Sequence, residues 1–113
     1  MLSPREVTKL AVDALEEKSA RNVTVLKTED LTVIANYFVI CTATSTTHIR
    51  ALADEVEHVL EGKGEMVRRK EGERAGGWVL LDFGCTVIHI FSEESRAFYN
   101  LERLWSDAEV VTL

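Results

Sequence analysis

The stretch GGWVLLDFGCTVIHIF, from Gly76 to Phe91, decides how this sequence folds. Two apolar segments, Trp78 to Phe83 and Thr86 to Phe91, lie on either side of a tight turn at Gly84. β-Branched and aromatic residues are frequent in both segments, and a glycine between two such segments is typical of a β-hairpin. The stretch therefore predicts two adjacent antiparallel strands.

Alternation along the first of these strands divides its side chains between two faces. One face receives three apolar side chains, which are enough to cover helices: Val79, Leu81 and Phe83. The other face receives Trp78, Leu80 and Asp82. An apolar patch with an acid at its rim is typical of a protein interface, but a tryptophan is equally often part of the core. Both interpretations of Trp78 stay open at this point.

The hairpin also carries three chemically reactive residue types, Asp82, Cys85 and His89. A cysteine becomes an activated nucleophile when an imidazole lies within hydrogen-bond reach of its sulfur. Cys85 lies at the turn and His89 follows four residues later, roughly 13 Å away at about 3.3 Å per residue. An Asp82–His89 contact across the hairpin is conceivable, but it has no nucleophile beside it. Structural or partner-binding roles are therefore favoured over catalysis.

Helical and strand patterns alternate through the rest of the chain. In chain order we expect a helix from Ser3 to about Lys18, a short strand around Val23 and Val25, a central strand from Tyr37 to Thr42, a helix over Ile49 to Leu60, a strand between Glu65 and Lys70, the hairpin, and a helix that begins after Ser92.

The order α-β-β-α-β-β-β-α, with one β-α-β crossover, predicts an α/β (α+β) fold in which helices pack on a mixed sheet of about five strands. The last helix is expected to place four apolar residues on one face: Phe98, Leu101, Leu104 and Trp105. The tail after Ser106 is expected to be loosely held.

Length and composition narrow the class of protein. The 113 residues fit one domain, 1–113, and 46% hydrophobic with 28% charged residues is a globular composition. No apolar run approaches the ~18 residues that span a bilayer, and the start MLSPREVTKL resembles neither a signal peptide nor an import leader. A cytoplasmic protein without a membrane partner is expected. Cys41 and Cys85 are expected to be free thiols.

The net charge of −6 weighs against nucleic-acid binding and suits an encounter with a basic protein. One basic cluster, RRKEGER from Arg68 to Arg74, leaves a minor RNA contact open.

Neither a metal site nor a cofactor is indicated. The three histidines, His48, His58 and His89, match no ligand spacing. The turn TSTTH before the second helix offers amides that can hold phosphate, as in nucleotidyltransferases. Such enzymes also need two close carboxylates for magnesium, and Asp82 stands alone with no D-x-D in the chain. Capping of the second helix is enough to explain the serine and threonine hydroxyls of this turn without a phosphate site.

Three blocks taken together resemble one family: NYFVICTATSTTHIRALADEV, EGERAGGWVLLDFGCTVIHIF and RAFYNLERLW. In this combination and order they are similar to the ribosomal silencing factors, also called the Iojap family. The likeness extends from about Ala11 to Trp105. Asn36, Ala43 and Cys85 depart from residues that the family commonly has at those positions.

The resemblance implies a nucleotidyltransferase-like fold without catalytic acids, and a translational repressor rather than an enzyme. It implies binding to the large ribosomal subunit at its protein fourteen, steric blocking of joining with the small subunit, and a homodimer when free. On this hypothesis Trp78, Leu80 and Asp82 anchor the partner. His89, Arg96 and Tyr99 are further contributors. The alternatives are a nucleotidyltransferase-like nucleotide-binding enzyme and a large-subunit assembly factor.

Overall fold

Helices and strands alternate along the chain in the computed structural model, which describes residues 2–72 and 77–113. The elements are α1 (Pro4–Glu17), β1 (Arg21–Lys27), β2 (Tyr37–Ala43), α2 (Thr46–Glu61), β3 (Arg69–Glu71), β4 (Trp78–Asp82), β5 (Thr86–Ser92), α3 (Glu93–Tyr99), α4 (Leu101–Leu104) and β6 (Glu109–Val111). The strands form one mixed sheet in the order β3-β4-β5-β2-β1-β6. The expected mixed α/β architecture is confirmed, with a sixth strand added.

The centre of the sheet is the parallel pair of β2 and β5, in register from Tyr37 opposite Thr86 to Ala43 opposite Ser92. Every residue of β2 is buried, and β5 is buried from Thr86 to Phe91. Strands covered on both faces consist of nearly continuous apolar residues, because no face meets water. The helix α2 carries the chain from β2 to the sheet edge, and β3, β4 and β5 return antiparallel to one another.

Helices cover the sheet on both sides, and the two sides have separate apolar cores. The larger core lies under α1 and α2, and it includes the three β4 and turn residues expected to face helices: Val79, Leu81 and Phe83. The smaller core lies under α3 and α4 and is centred on Phe38, Ile40 and Phe91. Trp78 and Leu80 pack at its border, so the two faces of β4 belong to different cores.

The two long helices begin at the capping residues that the sequence predicts. Ser3 and Glu6 form a reciprocal capping box at the start of α1. The Ser3 N–H donates to Glu6 Oε1 at 2.9 Å, and this hydrogen bond lowers the pKa of the exposed Glu6 carboxyl. Ser45 caps α2 by accepting from the His48 N–H, and Gly62 ends that helix. These bonds satisfy amides that a helix start otherwise leaves unpaired.

The C-terminal part of the chain differs from its predicted structure in two ways. The expected single helix is broken at Asn100, which has φ +46° and separates α3 from α4. The four apolar residues expected on one helical face are therefore divided between two helices and the residue that follows them, and two of them are largely exposed: Phe98 at 80% and Leu104 at 73%. The tail is also not loose, because β6 pairs with β1 at the sheet edge. The helix break has a local signal, since asparagine is among the few residues that commonly adopt positive φ at a helix end. The pairing of β6 has none, because β1 lies far along the chain.

The two valines of β6 test this pairing. Val111 lies half-buried against the larger core, whereas Val110 is 67% exposed. We expect Val111→Ser to lower the free energy of unfolding by about 1 kcal/mol, because apolar burial is lost. Val110→Ser, the matched control, is expected to change it by less than about 0.5 kcal/mol. Urea unfolding of both variants measures this. Equal effects would contradict the assigned strand.

Candidate partner-binding site

Trp78 begins β4 and holds together an aromatic cluster on the side of the smaller core. Its ring stacks on Phe91 with centroids 5.0 Å apart and lies 4.6 Å from the ring of Tyr99. Its indole Nε1–H donates to His89 Nδ1 at 3.2 Å. Trp78 is half-buried, so it belongs both to the core and to the surface. Three groups on two other elements, β5 and α3, fix the position of the indole.

His89 lies beneath Trp78 and is 4% exposed. Since Nδ1 accepts the indole proton, a neutral ring carries its own proton on Nε2, which has no hydrogen-bond partner among the described residues. Phe38 meets the imidazole edge-on with centroids 5.2 Å apart. Burial lowers the pKa of His89 to about 4, so the ring is neutral at physiological pH. This histidine positions Trp78.

Arg96 on α3 makes five internal hydrogen bonds, and its side chain is 14% exposed. Nε and Nη2 donate to the Glu102 carboxylate at 2.9 and 3.1 Å. Nη1 donates to the Asn22 carbonyl at 2.6 Å and to Thr42 Oγ1 at 2.9 Å. Nη2 also donates to Thr24 Oγ1 at 3.2 Å. The guanidinium therefore ties α3 to α4, β1 and β2.

Asp82 stabilises the hairpin turn. Its Oδ1 accepts the Gly84 N–H at 2.8 Å, and Gly84 has φ +88°. A Cβ at that position would lie 2.6 Å from Cζ of Arg68, the far end of a flexible side chain, so it is the backbone conformation that requires glycine. Cys85, next in the turn, has its sulfur 3.6 Å from Thr86 Oγ1. Asp82 and Leu80 are each half-buried on the Trp78 face.

A pocket of about 300 Å³ opens beside Trp78 at the sheet edge. Its lining residues are Glu71, Gly72, Gly77, Trp78, Leu80, Ser95 and Tyr99. Three of the six predicted partner-binding residues thus line one pocket, while Asp82, His89 and Arg96 lie outside its lining. The sequence interpretation missed Glu71 and Ser95. Glu71 pairs opposite Leu80, so the register of β3 against β4 is the signal that would have found it.

Exposed apolar side chains continue this surface along α3 and α4. Phe98, Tyr99 and Leu104 are 80%, 48% and 73% exposed, and together they line a shallow depression. The Phe98 and Tyr99 rings meet edge to face at 5.1 Å. We refer to Trp78, Leu80, Phe98, Tyr99 and Leu104 as the β4–α3 surface. Contiguous exposed apolar residues of this kind mark interaction sites.

Polar groups of the TSTTH turn, residues 44–48, form hydrogen bonds within the protein. Ser45 caps α2, and His48 Nδ1 accepts from the Thr44 N–H at 2.9 Å. His48 Nε2 lies 2.8 Å from the Lys18 carbonyl, which accepts its proton. These contacts tie the end of α1 to the start of α2, which is a structural use of residues considered as phosphate ligands.

Two further candidates from the sequence, the Cys41 thiol and the basic cluster, have structural explanations: the thiol is buried and the cluster forms ion pairs. Burial raises the pKa of the Cys41 thiol to about 12. In the basic cluster, Lys70 pairs with Glu57 at 2.9 Å and Arg69 with Glu71 at 3.1 Å, while Arg74 lies outside the described residues.

The described part of the chain contains neither a metal-binding cluster nor a membrane-spanning helix. In residues 2–72 and 77–113, no group of three or more His, Cys, Asp or Glu side chains is placed to hold a metal ion. No helix in the same ranges combines the length and apolarity needed to cross a bilayer.

Comparison with known proteins identifies the family. The family model described as "Ribosomal silencing factor during starvation" matches residues 2–113. The chain belongs to the ribosomal silencing factor family. Proteins named ribosomal silencing factor RsfS are 39% identical in Halalkalibacterium halodurans and 34% identical in Bacillus subtilis. Each of these alignments covers 99% of this chain, and they cover 96% and 95% of the respective relatives.

Solved structures of family relatives have the same fold. A crystal structure from Chromobacterium violaceum superposes with a TM-score of 0.90 at 32% identity, covering 93% of this chain and 88% of that one. A second, from Bacillus halodurans, gives 0.85 at 36% identity, covering 96% and 99%. The mouse protein named "Mitochondrial assembly of ribosomal large subunit protein 1" is 32% identical over 86% of this chain, which spans 44% of that relative.

The Arg96 network predicts a large effect of a conservative substitution. Arg96→Lys keeps the charge but cannot reproduce the guanidinium geometry, and we expect the free energy of unfolding to fall by about 2–3 kcal/mol. Arg103→Lys on exposed α4 is the matched control and is expected to change it by less than about 0.5 kcal/mol. Denaturant unfolding of both variants measures these free energies. An unchanged midpoint for Arg96→Lys would contradict the network.

His89 predicts a pH-dependent loss of stability. Its pKa is about 4 in the folded protein and about 6.5 when the chain is unfolded, so the unfolded chain binds an extra proton between these values. We expect this group to reduce the free energy of unfolding as pH falls from 6.5 to 4, by roughly 3 kcal/mol in total.

The substitution His89→Gln removes this titration while its amide oxygen still accepts the Trp78 indole proton. The stability difference between wild type and this variant is therefore expected to change across the same pH window. His58→Gln, at an exposed position on α2, is expected to follow the wild type. Parallel stability curves for wild type and His89→Gln from pH 7 to 4 would show that His89 does not titrate in this way.

Proposed function

We propose that this protein regulates translation by binding the large ribosomal subunit at its protein fourteen and sterically blocking joining with the small subunit. Family membership over residues 2–113 and full-length relatives named as silencing factors support a ribosome-associated role. The observation that carries the proposal is the β4–α3 surface. The proposed role needs no catalysis, and the names of the relatives, which are those of silencing and assembly factors, support such a role.

The β4–α3 surface has the properties of a preformed docking site. Aromatic residues surrounded by less critical contacts dominate the binding energy of most protein interfaces. Trp78 is fixed by stacking and by its bond to His89, so it loses little conformational entropy when a partner covers it. Phe98 and Leu104 leave large apolar areas in water in the free protein. Burial of these side chains against a partner supplies the affinity.

The six residues expected to bind the partner divide into two groups on this proposal. Trp78, Leu80 and Tyr99 contact the partner directly, and Asp82 lies at the rim of the same face. His89 and Arg96 act from beneath, because each is largely buried and bonded internally. His89 fixes Trp78, and Arg96 fixes the helix that carries Tyr99.

Charge and location complete the proposal. The net charge of −6 steers the protein towards a basic ribosomal protein in the cytoplasm, where the subunits join. Residues 68–70 add a minor contact to ribosomal RNA. In the free state a second copy covers the same apolar surface, which gives a homodimer that separates on the ribosome.

A role in large-subunit assembly is the second candidate, favoured by the printed name of the mouse relative. It uses the same surface and differs only in timing. Profiles of subunit precursors in a deletion strain separate the two. Accumulated precursors indicate assembly, whereas a normal profile with more joined ribosomes during starvation indicates silencing.

Subunit joining tests the surface directly. Mixing large and small subunits with saturating wild-type protein is expected to reduce joined ribosomes, measured by light scattering or gradient sedimentation. Phe98→Ser and Tyr99→Ser are each expected to weaken large-subunit binding by about 30-fold, equivalent to about 2 kcal/mol of lost apolar contact.

The matched control is Val33→Ser, which removes an apolar side chain that is 105% exposed on the loop between β1 and β2. It is expected to bind like wild type. Unchanged joining at saturating wild-type protein would defeat the repressor proposal. Equal losses for Val33→Ser and Phe98→Ser would show that the β4–α3 surface is not the contact.

A further inference from the structure

The pocket beside Trp78 has a chemical character that the docking proposal does not use. Its lining residues include two aromatic residues, Trp78 and Tyr99, one acidic residue, Glu71, and one residue with a hydroxyl group, Ser95. Glu71 and Trp78 come from neighbouring antiparallel strands, and Ser95 and Tyr99 lie one helical turn apart on α3. Three elements thus bring aromatic residues and an acidic residue around one space of about 300 Å³.

Two glycines line this pocket at points of close approach between elements. Gly72 has φ +88°, and a Cβ there would lie 1.9 Å from the Trp78 carbonyl oxygen. A Cβ at Gly77 would lie 2.4 Å from Ser95 Oγ. A larger residue at position 72 would displace the backbone at the start of β4. At position 77, rotation of the Ser95 hydroxyl relieves the contact, because the Ser95 Cβ would lie 3.6 Å away. The close approach of β3 to β4 therefore depends on glycine at position 72.

The carboxylate of Glu71 is held only weakly by its own protein. Glu71 Oε2 lies 3.1 Å from Arg69 Nε, and the two side chains are 57% and 64% exposed. Exposed ion pairs of this kind contribute little, because water and salt screen them. Exchanging Arg69 for a partner's cation costs correspondingly little. Asp82, which the sequence suggested as the charged contact, instead uses Oδ1 to hold the Gly84 turn.

We propose that this pocket receives an arginine side chain of the basic protein partner. Its guanidinium stacks against Trp78 and Tyr99, donates to the Glu71 carboxylate, and reaches Ser95 Oγ. Arginine fits better than lysine because its planar cation stacks on aromatic rings while it still donates in its own plane. The inference rests on the proposed function for the identity of the partner, and it moves the charged contact from Asp82 to Glu71.

Titration of the free protein with arginine amide tests the pocket without the ribosome. NMR signals of the Trp78 indole N–H and the backbone amides of Gly77 and Ser95 are expected to shift. Citrulline amide, which has the same shape without the charge, is the matched probe and is expected to shift them far less. The indole of Trp105, which packs on Phe38 outside the pocket lining, is the internal control.

Binding to the large subunit tests the carboxylate. Glu71→Gln is expected to weaken affinity by about 10-fold, because a charge-assisted hydrogen bond becomes a neutral one. Glu61→Gln, at an exposed position on α2, makes the same change in net charge and is expected to stay within about 2-fold of wild type. An unchanged thermal midpoint for Glu71→Gln confirms that the variant is folded.

Each outcome either supports or overturns the inference. Arginine-specific shifts at Trp78 together with a selective loss for Glu71→Gln support it. Equal shifts with citrulline amide, unmoved pocket signals, or equal affinities for the two glutamine variants overturn it. If wild-type protein does not bind the large subunit, the proposed function fails, and the titration alone decides whether the pocket takes a guanidinium.

Discussion

The parallel pairing of β2 with β5 is the constraint on which the other elements depend. Both strands are buried on both faces, so helices must cover the sheet on each side. Since β5 pairs with β4 on its other edge, Trp78 lies directly opposite Phe91. The chain leaves β5 straight into α3, which returns Tyr99 to the same indole. The central pair thus determines which aromatic residues meet at the surface.

Buried polar groups fix the positions of Trp78 and α3 more precisely than apolar contacts alone would. His89 accepts the indole proton of Trp78 from below, and Arg96 joins α3 to the strands with five hydrogen bonds. These groups hold a surface whose exposed part is mostly apolar, with Phe98 and Leu104 at its outer end. A rigid polar support beneath an exposed apolar surface suits the binding of a partner, because little conformational entropy is lost on association.

Local patterns predicted the parts of the fold that depend on local physics. Alternation along β4 correctly placed Val79, Leu81 and Phe83 in the core, and capping residues located the starts of α1 and α2. Family motifs predicted the class of protein. Other features depend on residues far apart in sequence, such as the pairing of β6 with β1 and the bonds of Arg96 to the strands.

In the candidate site, too, local patterns were predictable from the sequence and contacts between distant residues were not. Period-2 alternation placed Trp78 and Leu80 on one face, and both line the pocket with Tyr99. Alternation cannot reveal that a neighbouring strand brings Glu71 opposite Leu80, or that Asp82 is engaged by its own turn. It also cannot distinguish a half-buried tryptophan from a fully buried one, because that depends on how far α3 covers the ring.

The most direct test of the central claim is a structure of the protein bound to the large ribosomal subunit. We expect Trp78, Phe98 and Tyr99 to be buried against a basic ribosomal protein on the face where the small subunit joins. The exposed sides of α1 and α2 should remain in solvent. Binding through α1 and α2, with the β4–α3 surface exposed, would contradict the account.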